Sequence, residues 1–269
     1  MKKISLYILA LAASVPAFAQ GEFSLQDYNP RSVATAASAL YSSACNPRSG
    51  TGLEALVSYA SDGLYARGIF AANDKLAFNL EGFGKKNGAI QFKDDFGAPT
   101  GEEYSPSRFF LSGGIGYAIN DWLSAGLQGR LLNEALAPHN SVRNFASEIS
   151  LRARKNHFTG VVYYNSLPSN IALATQYLCG FAEKHSIKMQ VQYRYYTQEA
   201  SQIGIGAEYG FADSAFLRAA YNYGKKSPLP DFLALGLGGR FRIFILDLSY
   251  QYNMEAKASI VRIGLGIRL

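Results

Sequence analysis

The sequence is poor in the residues that most often carry chemistry. Its 269 residues include two cysteines, three histidines, three methionines and one tryptophan. Cys45 and Cys179 are too few for a disulfide framework, and nothing in their spacing decides whether they pair. His139, His157 and His185 all fall at connectors, with no G-x-S-x-G and no paired carboxylates beside them. Neither nucleophilic nor acid–base catalysis is therefore expected, and no His/Cys/Asp cluster has metal-ligand spacing. The chain reads as a non-enzyme without a cofactor. Beyond the first twenty residues no apolar run approaches the ~18 residues that a membrane-spanning helix needs. Charge is sparse, 17% of residues, and the formal +6 includes Lys2 and Lys3. The rest is spread without blocks of one sign, so nucleic acid is not an expected partner.

What is present is ordered alternation. The N-terminus, "MKKISLYILALAASVPAFAQ", has a basic start, a short apolar run and a small–x–small "AFA" before Gln20. That is the pattern of a secretory signal peptide over 1–19. Residues 20–51 are not strand-like. From residue 52 to 269, segments of about ten residues alternate apolar and small-or-polar side chains. The last, "SIVRIGLGIRL", sets Val261, Ile263, Leu265, Ile267 and Leu269 against Arg262, Gly264, Gly266 and Arg268. "SIKMQVQYRYY", "SQIGIGAEYG", "AFLRAAYNYG", "DFLALGLGGR" and "FRIFILDLSYQY" obey the same rule, and eight noisier segments precede them. The total is fourteen strands.

Connectors alternate as well. "GRFR", "FADS", "EKH", "RKN", "IND" and "AND" are short. Those between them are mostly longer, above all the charged stretch from Gly84 to Pro106, although "SDG" between the first two strands is short where a long one is allowed. Short periplasmic turns opposite longer outer loops are the asymmetry of an outer-membrane barrel. A water-soluble sandwich would also alternate, but three features favour the barrel. The apolar face persists in every strand, leaving no edge. Tyrosines gather at strand ends, as in an interfacial girdle. The other face is rich in glycine, which suits a narrow interior. The expected fold is an all-β transmembrane antiparallel barrel of about fourteen strands over 52–269, located in the outer membrane and bathed by its lipid.

Residues 27–60, "DYNPRSVATAASALYSSACNPRSGTGLEALVSYA", run from Arg31-Ser32 through small residues to Ala39-Leu40-Tyr41 and Asn46-Pro47. This segment resembles the entry segment of the PorV/PorQ family of Bacteroidetes outer-membrane proteins, within the wider group shaped like the fatty-acid transporter FadL. The last four strands, with Arg218-x-x-Tyr221 and "LDLSY", are similar to that family too. The resemblance implies an N-terminal segment, 20–51 here, folded into or across the lumen. It also implies one of two roles, partnership with type IX secretion proteins or a FadL-like port for a hydrophobic ligand. The secretion role is the primary expectation and the port its alternative.

Alternation also selects the inward charges: Arg67, Arg130, Arg152, Lys188, Arg194, Glu208, Arg218, Asp247, Arg262 and Arg268, with Lys75, Glu81 and Glu148. Two readings stand. The basic excess favours anionic or amphipathic solutes, or the charges pair internally and fill a small barrel. A narrow diffusion porin is a third reading, for which only the Gly84–Pro106 stretch could supply a constriction loop.

Overall fold

Two-residue periodicity gives most strands one apolar and one polar face, and the strands satisfy both by closing on themselves. A computed structural model describes residues 33–35, 52–61, 63–93, 99–137, 140–167, 169–197, 200–225 and 230–269. The candidate signal peptide 1–19, Cys45 and His139 lie outside these residues. The strands are β1 (Gly52–Ala60), β2 (Gly63–Ala71), β3 (Leu76–Lys86), β4 (Ile90–Lys93), β5 (Pro99–Tyr104), β6 (Ser107–Ala118), β7 (Leu123–Ala137) and β8 (Asn140–Lys155). They continue with β9 (Phe158–Ser166), β10 (Ser169–Ala182), β11 (His185–Tyr196), β12 (Ser201–Phe211), β13 (Ala215–Lys225), β14 (Phe232–Phe241), β15 (Phe244–Asn253) and β16 (Ala258–Arg268). Fourteen of them form a closed antiparallel barrel, sealed where β16 pairs with β1. The fold is the one expected.

The two remaining strands are new. β4 and β5 form a separate hairpin inside the long connector, which the sequence had shown only as charged and turn-forming. The outer loop between β7 and β8 is also shorter than expected, because these two strands continue pairing up to Ala137 and Asn140. Arg108 and Glu134, 2.8 Å apart, tie β6 to this extension.

The short turns are built from their own sequence. In "ANDKL" Asn73 Oδ1 accepts the Lys75 and Leu76 amides at 2.9 and 2.8 Å. In "INDWL" Asn120 Oδ1 accepts those of Trp122 and Leu123 at 3.1 and 2.8 Å. An Asn side chain thereby does the work of a backbone turn. Lys75 belongs to the first of these turns and is exposed, so it is not the inward charge that alternation suggested. Parity fails there because the chain has already left the sheet.

Stepping from residue to paired residue once round the barrel returns to β1 displaced by 14 positions. A displacement equal to the strand number implies a strand tilt of about 35° and a backbone radius of about 13 Å. One layer of inward side chains does not fill such a barrel. Outward, Leu80, Leu127, Val162, Leu173, Ile205, Leu235 and Ile263 form an exposed aliphatic belt. Exposed aromatics border it on both sides, with Phe70, Tyr117, Trp122, Phe158 and Phe244 toward the short turns. Tyr193, Tyr195, Tyr221, Tyr223 and Tyr252 border it toward the outer loops. An apolar belt encircling the whole molecule is far beyond what water tolerates and has the anatomy of a bilayer-spanning barrel.

Candidate functional site: the inner wall

Two charge networks line the interior. In the first, Glu208 on β12 accepts from Lys188 of β11 at 2.5 Å and from Arg218 Nε of β13 at 2.7 Å. Arg218 then reaches past β14 to donate to Asp247 Oδ1 of β15 at 2.5 Å. It can do so because Gly238 of β14 has no side chain. A Cβ there would stand 2.6 Å from Arg218 Nη2 and 2.8 Å from Asp247 Oδ1. Two cations and two anions cancel, and Glu208 and Arg218 have 1% of their side chains exposed. This cluster closes the wall and leaves no net charge for a solute.

The second network is looser. Arg67 of β2 and Arg130 of β7 flank Glu81 of β3 at 3.7 and 3.8 Å. Gln128 Nε2 donates to Ser112 Oγ at 2.9 Å beside them. Elsewhere Arg194 donates to the Tyr196 hydroxyl at 3.4 Å and lies over the Tyr163 ring, 5.7 Å from its centroid. Arg262 donates to Gln251 Oε1 at 2.8 Å. Arg152 and Glu148 on β8 are half-buried, and Arg268 is exposed at the last position of β16. The closing strand therefore places Arg262 within the lumen and Arg268 at its mouth.

Alternation missed an inward apolar cluster. Leu56, Tyr65, Phe83, Phe110, Leu132, Ala146 and Leu167 are buried together, where the inner face was expected to be polar or small. The signal was present as doublets, Leu64-Tyr65, Phe109-Phe110 and Leu131-Leu132, in which both faces of a strand are apolar at once. Register stacks these residues in rows. Tyr65, Phe83, Phe110 and Leu132 pair in sequence across β2, β3, β6 and β7. The next row toward the short turns holds Arg67, Glu81, Ser112 and Arg130, and the row beyond holds Asn79, Gly114 and Gln128. Arg130 stacks on Phe110, 4.6 Å from the ring centroid, and joins the first two rows.

The opposite wall is made of small residues and is occupied. Val33, Ala34 and Thr35 are buried, Ala34 and Thr35 fully. Val33 packs on Ala220, Ala234 and Phe232. A Cβ on Gly206 would fall on the Thr35 carbonyl, and one on Gly236 would lie 2.5 Å from Ala34 Cβ. The glycines of "IGIGAE" and "ALGLGG" thus make room for a length of the chain's own backbone, a function that no single-strand pattern reveals.

The two described histidines are placed at the short-turn end. His157 is exposed beside Tyr177, while His185 Nδ1 and the Tyr209 hydroxyl are 2.7 Å apart between Phe181 and Phe211. Cys179 is a half-buried free thiol on β10.

A closed fourteen-stranded barrel with a lipid-facing belt, two aromatic borders and a charged interior defines the outer-membrane β-barrel class. Solved structures with this fold include the toluene transporter TodX of Pseudomonas putida, at 14% identity over 91% of this chain and 98% of that one, with a TM-score of 0.59. CymD, a monoaromatic hydrocarbon channel, is 11% identical over 95% and 93% with a TM-score of 0.53. Omp33, an outer membrane protein of Acinetobacter baumannii, is 9% identical over 83% and 99% with a TM-score of 0.54. At these identities the likeness is one of fold. No protein-family model matches the sequence, and no curated protein matches it.

Proposed function

We propose that this protein is an outer-membrane conduit for small hydrophobic or amphipathic molecules. The observation that carries the reading is the inner wall of β2, β3, β6 and β7, where an aromatic and aliphatic row borders a charged row. The structural likeness to TodX and CymD, described as a toluene transporter and a monoaromatic hydrocarbon channel, supports this reading over the secretion partnership. PorV/PorQ membership and type IX secretion rest on the sequence resemblance of residues 27–60 and the last four strands alone. Residues 20–51 act in this reading as a lumenal segment, supported by the burial of Val33–Thr35, and residues 1–19 as the export signal. No catalytic step is required.

The test is flux. Cells carrying the barrel in an intact lipopolysaccharide-bearing outer membrane should take up radiolabelled toluene at least about fivefold faster than cells without it. Equal rates would sink the conduit reading. Recovery of the protein in a stable complex with secretion components, after mild-detergent extraction, would return the argument to the secretion role.

A further inference from the structure

Asn79 stands apart from the other inward polar groups. It lies on β3 in the row beyond Glu81, 6% exposed. Neither its amide nitrogen nor its amide oxygen has a hydrogen-bond partner among the described residues. Its oxygen occupies the space that a Cβ on Gly114 would take, and the Gln128 side chain closes the far side of that space. The neighbouring Gln128 amide is spent on Ser112 and Glu81, at 2.9 and 3.4 Å. A buried amide left bare is costly, and native interiors contain few. Such groups persist where something else uses them.

We propose that Asn79 is the hydrogen-bonding contact of a lumenal solute site, selecting neutral aromatic molecules that carry a hydroxyl over bare hydrocarbons. The inference rests on the conduit reading. Its geometry is that of a site apolar on one side and hydrogen-bonding on the other. The Phe83 and Phe110 rings, 5.8 Å apart, stacked and only 6% and 3% exposed, border it on the apolar side, and the Asn79 row borders it on the polar one. Rotation about the Cβ–Cγ bond is soft for Asn. It swings Oδ1 and Nδ2 about a fixed Cγ, so that the amide can present a donor or an acceptor to a hydroxyl. An ionic solute is served less well, because Glu81 already sits between the two arginines of the intervening row.

The matched probes are p-cresol and toluene, which differ by one hydroxyl. Titration calorimetry of the purified full-length protein in detergent should show p-cresol binding about tenfold tighter than toluene. Asn79→Leu should bind the two equally and leave toluene affinity within about twofold. It should also raise the thermal midpoint of the empty barrel by a few degrees, because a bare buried amide is replaced by an apolar group of similar size. Equal binding of both probes by the unmodified protein overturns the proposal and leaves the conduit standing. So does retention of the p-cresol preference in Asn79→Leu. A fall in thermal midpoint on that substitution, with the preference unchanged, assigns Asn79 a structural role and also overturns it. Absence of binding for both probes overturns the proposal and counts against the conduit as well.

Discussion

Replacing Glu208 by Gln tests whether the lumen behaves as a protein interior or as a water-filled channel. The carboxylate is 1% exposed and holds two cations, Lys188 at 2.5 Å and Arg218 at 2.7 Å. Removing one partner of a buried ion pair costs about 3–5 kcal/mol, mostly because the remaining charge is left unpaired. Two features reduce that here. Arg218 keeps Asp247 at 2.5 Å, and the Lys188 side chain is already 21% exposed. The expected loss is therefore about 2–4 kcal/mol, and for a chain of this size that lowers the thermal midpoint by about 5–15 °C. Trp122, the sole tryptophan, sits at a short turn. Its fluorescence follows unfolding of the purified barrel without interference. Adding Lys188→Met to Glu208→Gln should restore part of the loss, since one uncompensated cation is removed. A drop below about 1 °C in Glu208→Gln would refute the reasoning. The network would then be behaving like surface ion pairs worth about 0–1 kcal/mol, and the lumen at that level would be hydrated.

Other outcomes follow from the two faces of the wall. Gly206→Val puts side-chain atoms where the Thr35 carbonyl lies. It should cost about 1–3 kcal/mol as overpacking and make the chain near Thr35 cleavable by protease several-fold faster. Unchanged cleavage would mean that the segment does not depend on that niche. Leu235→Arg, in the middle of the exposed aliphatic belt, should destabilise the barrel in lipid vesicles by about 2–4 kcal/mol. A neutral effect there would mean that this face meets water.

How much of this was legible in the chain follows from what determines each feature. The periodicity of two is local, because it comes from the pleat of one strand. Any segment that must face lipid on one side and a polar lumen on the other therefore records both faces in its own residues. That is why fourteen strands and the aliphatic belt could be read directly. Asn73 and Asn120 likewise carry their turns within five residues. The same logic misleads where local parity ends, as at Lys75 in a turn, or where a strand continues pairing past the bilayer, as β7 and β8 do.

The interior was decided elsewhere. Which inward residues meet depends on register and on the 14-residue displacement around the closed barrel, and these arise only when all strands are paired. Arg218 finds Asp247 two strands away because Gly238 stands between them, although 29 residues separate the pair in sequence. Tyr65, Phe83, Phe110 and Leu132 become one apolar row only once four strands are aligned. Gly206 and Gly236 look like two more alternating glycines until Thr35 and Ala34 are seen against them. The sequence by itself settled the strands and the apolar face each shows to lipid, since those are properties of one strand. The tertiary structure alone settled what the lumen contains, since that depends on side chains contributed by strands far apart in the chain.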